Sequence, residues 1–291
     1  MRVPALTAIA ILAALTFSGR FVSAQEQQQK LAPASACGGE EIARGTVNRV
    51  ADGRTFVLGD GREVRLAAIE VPLLPLPQQP GLAPGGAAAK AALDALVGGD
   101  NVVLRRAQET IDRYGRTPAF AYAVRDGEEI FAQGELLAAG YARVGDRAGP
   151  RACALELLAR EQAARAARLG LWADPYYQVL DAETPADVLA RRGRFALVEG
   201  KVVSVRESGS TIYVNFGRRW SEDFSVTILK RNERNFSAAG LDLKGLAGRR
   251  VRVRGWIEER GGAGTGTTGS TAASPWIEAV HPEQIEIAGA E

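Results

Sequence analysis

The chain has 291 residues, 46% of them hydrophobic and 24% charged, which excludes a disordered protein and leaves room for two ordinary domains. Its formal net charge of +2 is too small to imply a polyanionic partner by itself. A single histidine excludes a histidine-based metal cluster. The charge is uneven: residues 38–175 hold 17 basic against 18 acidic side chains, and residues 190–291 hold 16 against 12. At the N-terminus, Arg2, an apolar run over Leu6–Phe17 and the small residues Val22-Ser23-Ala24 predict a secretory signal over 1–24. The mature chain is then expected near Gln25, in a secreted or periplasmic setting, with no later segment apolar enough to span a membrane. Residues 25–37 are Gln/Ala-rich and predict a disordered leader.

Three short β-rich runs follow, Thr46–Val50, Thr55–Leu58 and Glu63–Ile69, separated by the turn dipeptides Asp52-Gly53 and Asp60-Gly61. In the third run Val64, Leu66 and Ala68 share a face and Arg65 takes the other, until Pro72 stops it. Leu73–Gly86 carries four prolines and three glycines and reads as a loop. Ala87–Val97 reads as a helix capped by Gly98-Gly99, Asn101–Arg105 and Pro118–Val124 as strands, and Ile130–Ala139 as a helix ended by Gly140. Arg151–Arg168 is a longer helix with Glu156/Arg160 and Glu161/Arg165 at i,i+4 spacing; Leu171-Trp172 after it is expected to pack back on the sheet.

Residues 176–192 read as a polar linker. Beyond it Ala196–Val205, Thr211–Phe216 and Phe224–Leu229 alternate as strands, Arg231–Ala239 is a helix, and Arg249–Glu258, Trp276–Val280 and Gln284–Ile287 are strands again. Three strands, a helix and two strands is the order of an OB-fold, with a Gly-rich loop over Gly261–Ser274 between the last two.

Five motifs recur in one order: Val50-x-Asp52-Gly53-x-Thr55-x-x-Leu58, Val64-Arg65-Leu66-x-x-Ile69-Glu70-x-Pro72, Asp112–Arg116, Gly140–Val144, and Glu161-x-x-Ala164-Arg165-x-x-x-x-Gly170-Leu171-Trp172. Together they resemble the thermonuclease (staphylococcal nuclease-like) family over about 45–174. The resemblance implies an OB-like barrel of the staphylococcal nuclease type over 38–175; with the second OB-like barrel that the strand order gives over 193–288, the chain reads as α+β, mainly β. The resemblance also implies phosphodiester cleavage with a calcium ion, two arginines and a carboxylate.

The two arginines match at Arg65 and Arg116, and a planar fork of donors suits two phosphate oxygens at once. The calcium positions depart from the family. Arg54 stands where the family has an Asp ligand, Glu70 keeps a carboxylate, and Val71 offers a backbone carbonyl. At the general-base position stands Leu73, which accepts no proton. Cys37 and Cys153 form an even pair that predicts a disulfide in an oxidising compartment. In the C-terminal unit Val251, Val253 and Ile257 are expected inward, leaving Arg250, Arg252, Arg254 and Trp256 as an outward basic ladder suited to a polyanion, or merely a solvated face. Tyr213 and Trp220 near Arg218 and Arg219 make a similar cluster.

These readings predict a catalytically impaired nuclease homologue that binds single-stranded nucleic acid or another polyanion and needs no cofactor. The alternatives are an active hydrolase that takes calcium through Glu70, and a structural module whose partner is an envelope protein.

Overall fold

The computed structural model describes residues 35–74, 84–107, 111–261 and 273–289. The predicted signal over 1–24, the leader up to 34, the middle of the Pro/Gly-rich stretch and most of the Gly261–Ser274 loop lie outside the described residues.

The first unit contains β1 (Glu41–Asp52), β2 (Thr55–Leu58), β3 (Glu63–Leu66), β4 (Ile69–Glu70), α1 (Gly86–Val97), β5 (Asn101–Arg106), β6 (Thr117–Arg125), β7 (Glu128–Phe131), α2 (Ala132–Ala138), β8 (Arg143–Val144) and α3 (Arg151–Ala166). Local turn chemistry starts it. Asp52 faces Thr55 across a two-residue turn, and Asp60 accepts the Arg62 N–H at 3.0 Å beside Gly61, whose φ of 87° suits glycine. The sheet runs β3-β2-β1-β5-β6-β7, and a parallel β3–β6 pair closes it into a barrel. Phe56, Leu58, Val64, Leu66, Leu104 and Phe120 fill the interior, and Leu136, Leu137 and Leu157 of α2 and α3 cover it. A disulfide joins Cys37, ahead of β1, to Cys153 on α3, so the last residues of the expected leader are fastened to the barrel.

The run expected as one strand over 63–69 breaks in two. Ala68 adopts φ 67°, and the chain leaves the barrel as β4, pairing with β8 so that Ile69 faces Val144 and Glu70 faces Arg143. Ala68 therefore leaves the apolar face that strict alternation assigned it.

The second unit contains β9 (Leu180–Asp181), α4 (Pro185–Leu189), β10 (Phe195–Lys201), β11 (Ser204–Ser208), β12 (Thr211–Asn215), β13 (Ser225–Leu229), α5 (Glu233–Ala238), β14 (Arg250–Trp256), β15 (Glu258–Arg260), β16 (Ser274–Glu278) and β17 (Ile285–Ile287). β10 and β11 act as one bent strand, as do β14 and β15. The pairs β11–β12, β12–β13, parallel β13–β16, β16–β15 and β14–β10 then give the same circular order as the first barrel. The stretch expected as a linker is structured instead. β9 pairs parallel with β10, Ala182 and Val188 are buried in the core of the second barrel, and Tyr177 is buried against Arg143 and donates to the Pro84 carbonyl.

Trp172 does not pack back on its own sheet. It clusters with Ala164 and with Phe195 and Leu197 of β10, making the apolar part of the contact between the barrels. The polar part centres on Arg254. This residue was expected on an open face, but it is 1% exposed: its guanidinium forks onto both oxygens of the buried Glu161 at 2.9 Å, pairs with Glu286, and reaches the Val144 carbonyl at 3.2 Å. Alternation set the correct face of β14, but that face meets α3 of the first barrel. Arg252 pairs with Glu199 at 2.7 Å and Glu286 at 3.5 Å, and Arg250 pairs with Glu199 at 2.7 Å. The ladder is a set of ion pairs, and Arg254 is not available to a polyanion.

Candidate functional site

The first barrel's candidate site residues lie on β3, on β4 and on the turn before β6. Register places Arg65 of β3 opposite Thr55 on β2 and Pro118 on β6, so its side chain leaves the barrel where the sheet closes. Arg116 ends the Asp112–Arg116 turn. Asp112 accepts the backbone N–H groups of Tyr114 and Arg116 at 2.9 and 3.0 Å and pairs with the Arg116 guanidinium at 2.7 Å. Burial alone would raise the Asp112 carboxyl, but these hydrogen bonds hold it below its usual value. Arg116 also lies 4.9 Å from the Tyr114 ring centre.

Arg54 points inward from the β1–β2 turn. It is 7% exposed, pairs with Glu70 and donates to the Ile69 carbonyl at 3.3 Å. Asp52 is occupied as well, accepting the Arg54 backbone N–H at 2.8 Å. Arg65 is half-buried, and its side chain has no hydrogen bond or ion pair among the described residues. Burial, the Arg54 guanidinium and then the Arg116 guanidinium push it below its usual value, with Glu70 and Asp52 opposing.

One groove is lined by Asp52, Arg54, Arg65, Leu73 and Arg116 together with Arg194 from the start of the second barrel. Next to it a smaller pocket joins Glu70 and Leu73 to Arg143, Tyr176, Phe195 and Trp256. Trp256 thus belongs to this junction, edge-on to Phe195 at 6.0 Å between ring centres, and not to the Arg250–Arg252 face. Arg143 is buried and donates to the Phe195 carbonyl at 2.8 Å, between the rings of Tyr177 and Phe195. Its burial lowers its pKa. Reciprocal backbone bonds fix Arg194 in place: Ile257 N–H donates to the Arg194 carbonyl at 2.9 Å, and Gly193 N–H donates to the Ile257 carbonyl at 2.8 Å.

Residues 63–174 match the family model described as staphylococcal nuclease homologue. The match bears out the resemblance carried by the motifs, and it begins after the hairpin that holds Arg54. No curated protein matches the chain. The nuclease-like domain places nucleic acid among the ligands of its family.

A calcium ion takes about six to eight oxygen ligands, several of them carboxylate. The residues of this groove do not fit one. The Glu70 carboxylate is bound to Arg54, a guanidinium fills the space a cation needs, and no group of three or more candidate metal ligands occurs among the described residues. Leu73, at the general-base position of the motif, is 52% exposed on the groove and offers neither proton acceptor nor ligand. What the arrangement offers is donors: Arg65, Arg116 and Arg194 on one surface, with Arg54 behind them. Of these, Arg194 was not singled out from sequence, and neither was Arg143. Arg143 lies in the quoted Gly140–Val144 motif, which gave a signal without a role; Arg194 had only its place in a short basic run.

Proposed function

We propose that the protein is an exported nuclease homologue that binds the phosphodiester backbone of nucleic acid in the junction groove without calcium-dependent cleavage. Arg65 carries this reading. A half-buried guanidinium flanked by two others and lacking a carboxylate partner is relieved by an anion, and a phosphate accepts two of its N–H groups together. Arg116 and Arg194 add donors on the same groove. The Arg54 guanidinium supplies positive charge where the family motif implies a metal, so binding needs no cofactor. Export fits the Cys37–Cys153 disulfide, since such bonds persist in oxidising compartments.

The reading of an active hydrolase through Glu70 has less support, because that carboxylate is engaged by Arg54. The reading of a structural envelope module leaves the unpaired Arg65 without a role.

Incubation of the mature chain with single-stranded DNA, with Ca²⁺ and with chelator, tests both halves. The expected result is no chelator-sensitive release of nucleotides, together with binding that weakens as salt rises. Two lost phosphate contacts in Arg65→Ala/Arg116→Ala should flatten the log–log salt slope by about 1.4. Chelator-sensitive turnover overturns the reading, and so does a double variant that binds as the parent does.

A further inference from the structure

The second barrel carries a separate candidate surface, sharing no lining residue with the junction groove, on the outer face of β11 and β12. Ile212 and Val214 are buried, so alternation turns Thr211, Tyr213 and Asn215 of β12 outward. Tyr213 stands opposite Arg206 of β11, and Asn215 stands opposite Ser204. A concave pocket on this face is lined by Arg206, Tyr213, Asn215, Arg218, Trp220 and Arg260. Trp220 is 70% exposed, far more than a packing role requires. The Arg260 guanidinium lies 5.5 Å from the Tyr213 ring centre and 5.4 Å from that of Trp276 on β16.

The charge on this face is uncompensated. Arg206, Arg218 and Arg260 have no carboxylate partner among the described residues, whereas Arg219, beside Arg218, is paired with Glu222. The lining carboxylate, Glu207, is held by Lys230 at 2.9 Å and Lys244 at 3.0 Å. Aromatic rings interleaved with arginines that lack a carboxylate partner answer two chemistries at once: flat bases stack, and the phosphates between them are neutralised. A bare polyanion would use the arginines and leave Tyr213 and Trp220 idle. A duplex would keep its bases stacked on each other.

We propose that this face of the second barrel is a binding site for single-stranded nucleic acid, with Tyr213 and Trp220 as stacking platforms and Arg206, Arg218 and Arg260 as phosphate contacts. The site is independent of the junction groove, so two surfaces on one chain engage the same class of polymer.

The test uses the full mature chain and an oligothymidylate of about a dozen nucleotides, read by anisotropy, in the parent and in Arg65→Ala/Arg116→Ala, which silences the groove. In the groove variant, oligothymidylate should still bind. Trp220→Ala and Tyr213→Ala should each weaken that remaining binding by about tenfold, the weight of one stacking contact. Arg206→Ala should weaken it less and reduce the salt slope by about 0.7. Trp220 and Arg206 are exposed, so their variants test the face even if Tyr213→Ala disturbs the strand. Three results overturn the proposal: loss of all binding in the groove variant, binding untouched by Trp220→Ala and Arg206→Ala, or equal competition by inorganic polyphosphate. The first leaves the groove reading standing, and an unchanged groove variant with a sensitive face leaves only the face.

Discussion

Arg54 and Glu70 form an ion pair with side chains 9% and 13% exposed, the feature that separates this groove from a metal site. Removing one member of a buried pair strands the other charge, which typically costs about 3–5 kcal/mol, whereas removing both is far milder. Glu70→Ala and Arg54→Ala are therefore each expected to destabilise the chain strongly, and the double variant much less than their sum. Denaturant titrations of the four proteins decide it, and simple additivity would count against the pair. Arg65 behaves differently. It has no partner to strand, so Arg65→Ala should leave stability nearly unchanged and alter only ligand binding.

The strands show what was legible in the chain and what was not. Asp52-Gly53 and Asp60-Gly61 act locally, so the hairpins they set were readable, and Thr55–Leu58 falls where its β-rich composition and the turns put it. The α3 helix was readable from its charge spacing, but it ends at Ala166, ahead of the Gly170 expected to close it, which instead opens a 3-10 turn. The break at Ala68 was not, because nothing in an alternating apolar run announces a positive φ at alanine. That break aims Glu70 at Arg54, so the decisive geometry of the site rests on an unreadable residue. Arg254 failed for another reason: period two names the face of a strand but not what covers it. The cysteine pair was readable from its even count and export context, and it ties the lead-in of β1 to α3 across 116 positions. Closing so long a loop constrains the unfolded chain, and losing such a bond typically costs about 2–5 kcal/mol. Reduction, or a paired Cys37→Ser/Cys153→Ser change, should lower the denaturation midpoint by that order while oligonucleotide binding persists in the folded chain. Two free thiols in the chain purified without reductant, by non-reducing mass spectrometry, would refute the linkage.

At the scale of the whole molecule, the groove exists because the two barrels are clamped together, and the clamp is built of carboxylates. Arg254 sits between Glu161 and Glu286, Arg165 adds a contact to Glu286 at 3.5 Å, and Arg151 reaches Glu283 at 3.3 Å. Burial would raise the Glu286 carboxyl, but Arg254, then Arg165 and Arg252, hold it below its usual value. Glu199 is lowered in the same way by Arg250 and Arg252 against the effect of burial. A carboxylate whose folded pKa is depressed contributes stability that is fully present above the unfolded value, near 4.5, and is lost as pH falls through the folded pKa. Thermal stability should therefore show no loss from these groups between neutral pH and about 5, then fall steeply below 4.5 as the clamp protonates. Glu286→Gln should lower stability at neutral pH and flatten the acid slope. Because Arg254 and Glu161 are out of solvent, moderate salt should change neither result much. A Glu286→Gln chain that keeps the parent's full acid slope would show that Glu286 is not the acid-sensitive member of the clamp, leaving the Glu161–Arg254 pair and the Trp172–Phe195–Leu197 contact to hold the barrels. If the ion pairs are the clamp, groove binding should be lost together with the docking, before the individual barrels unfold.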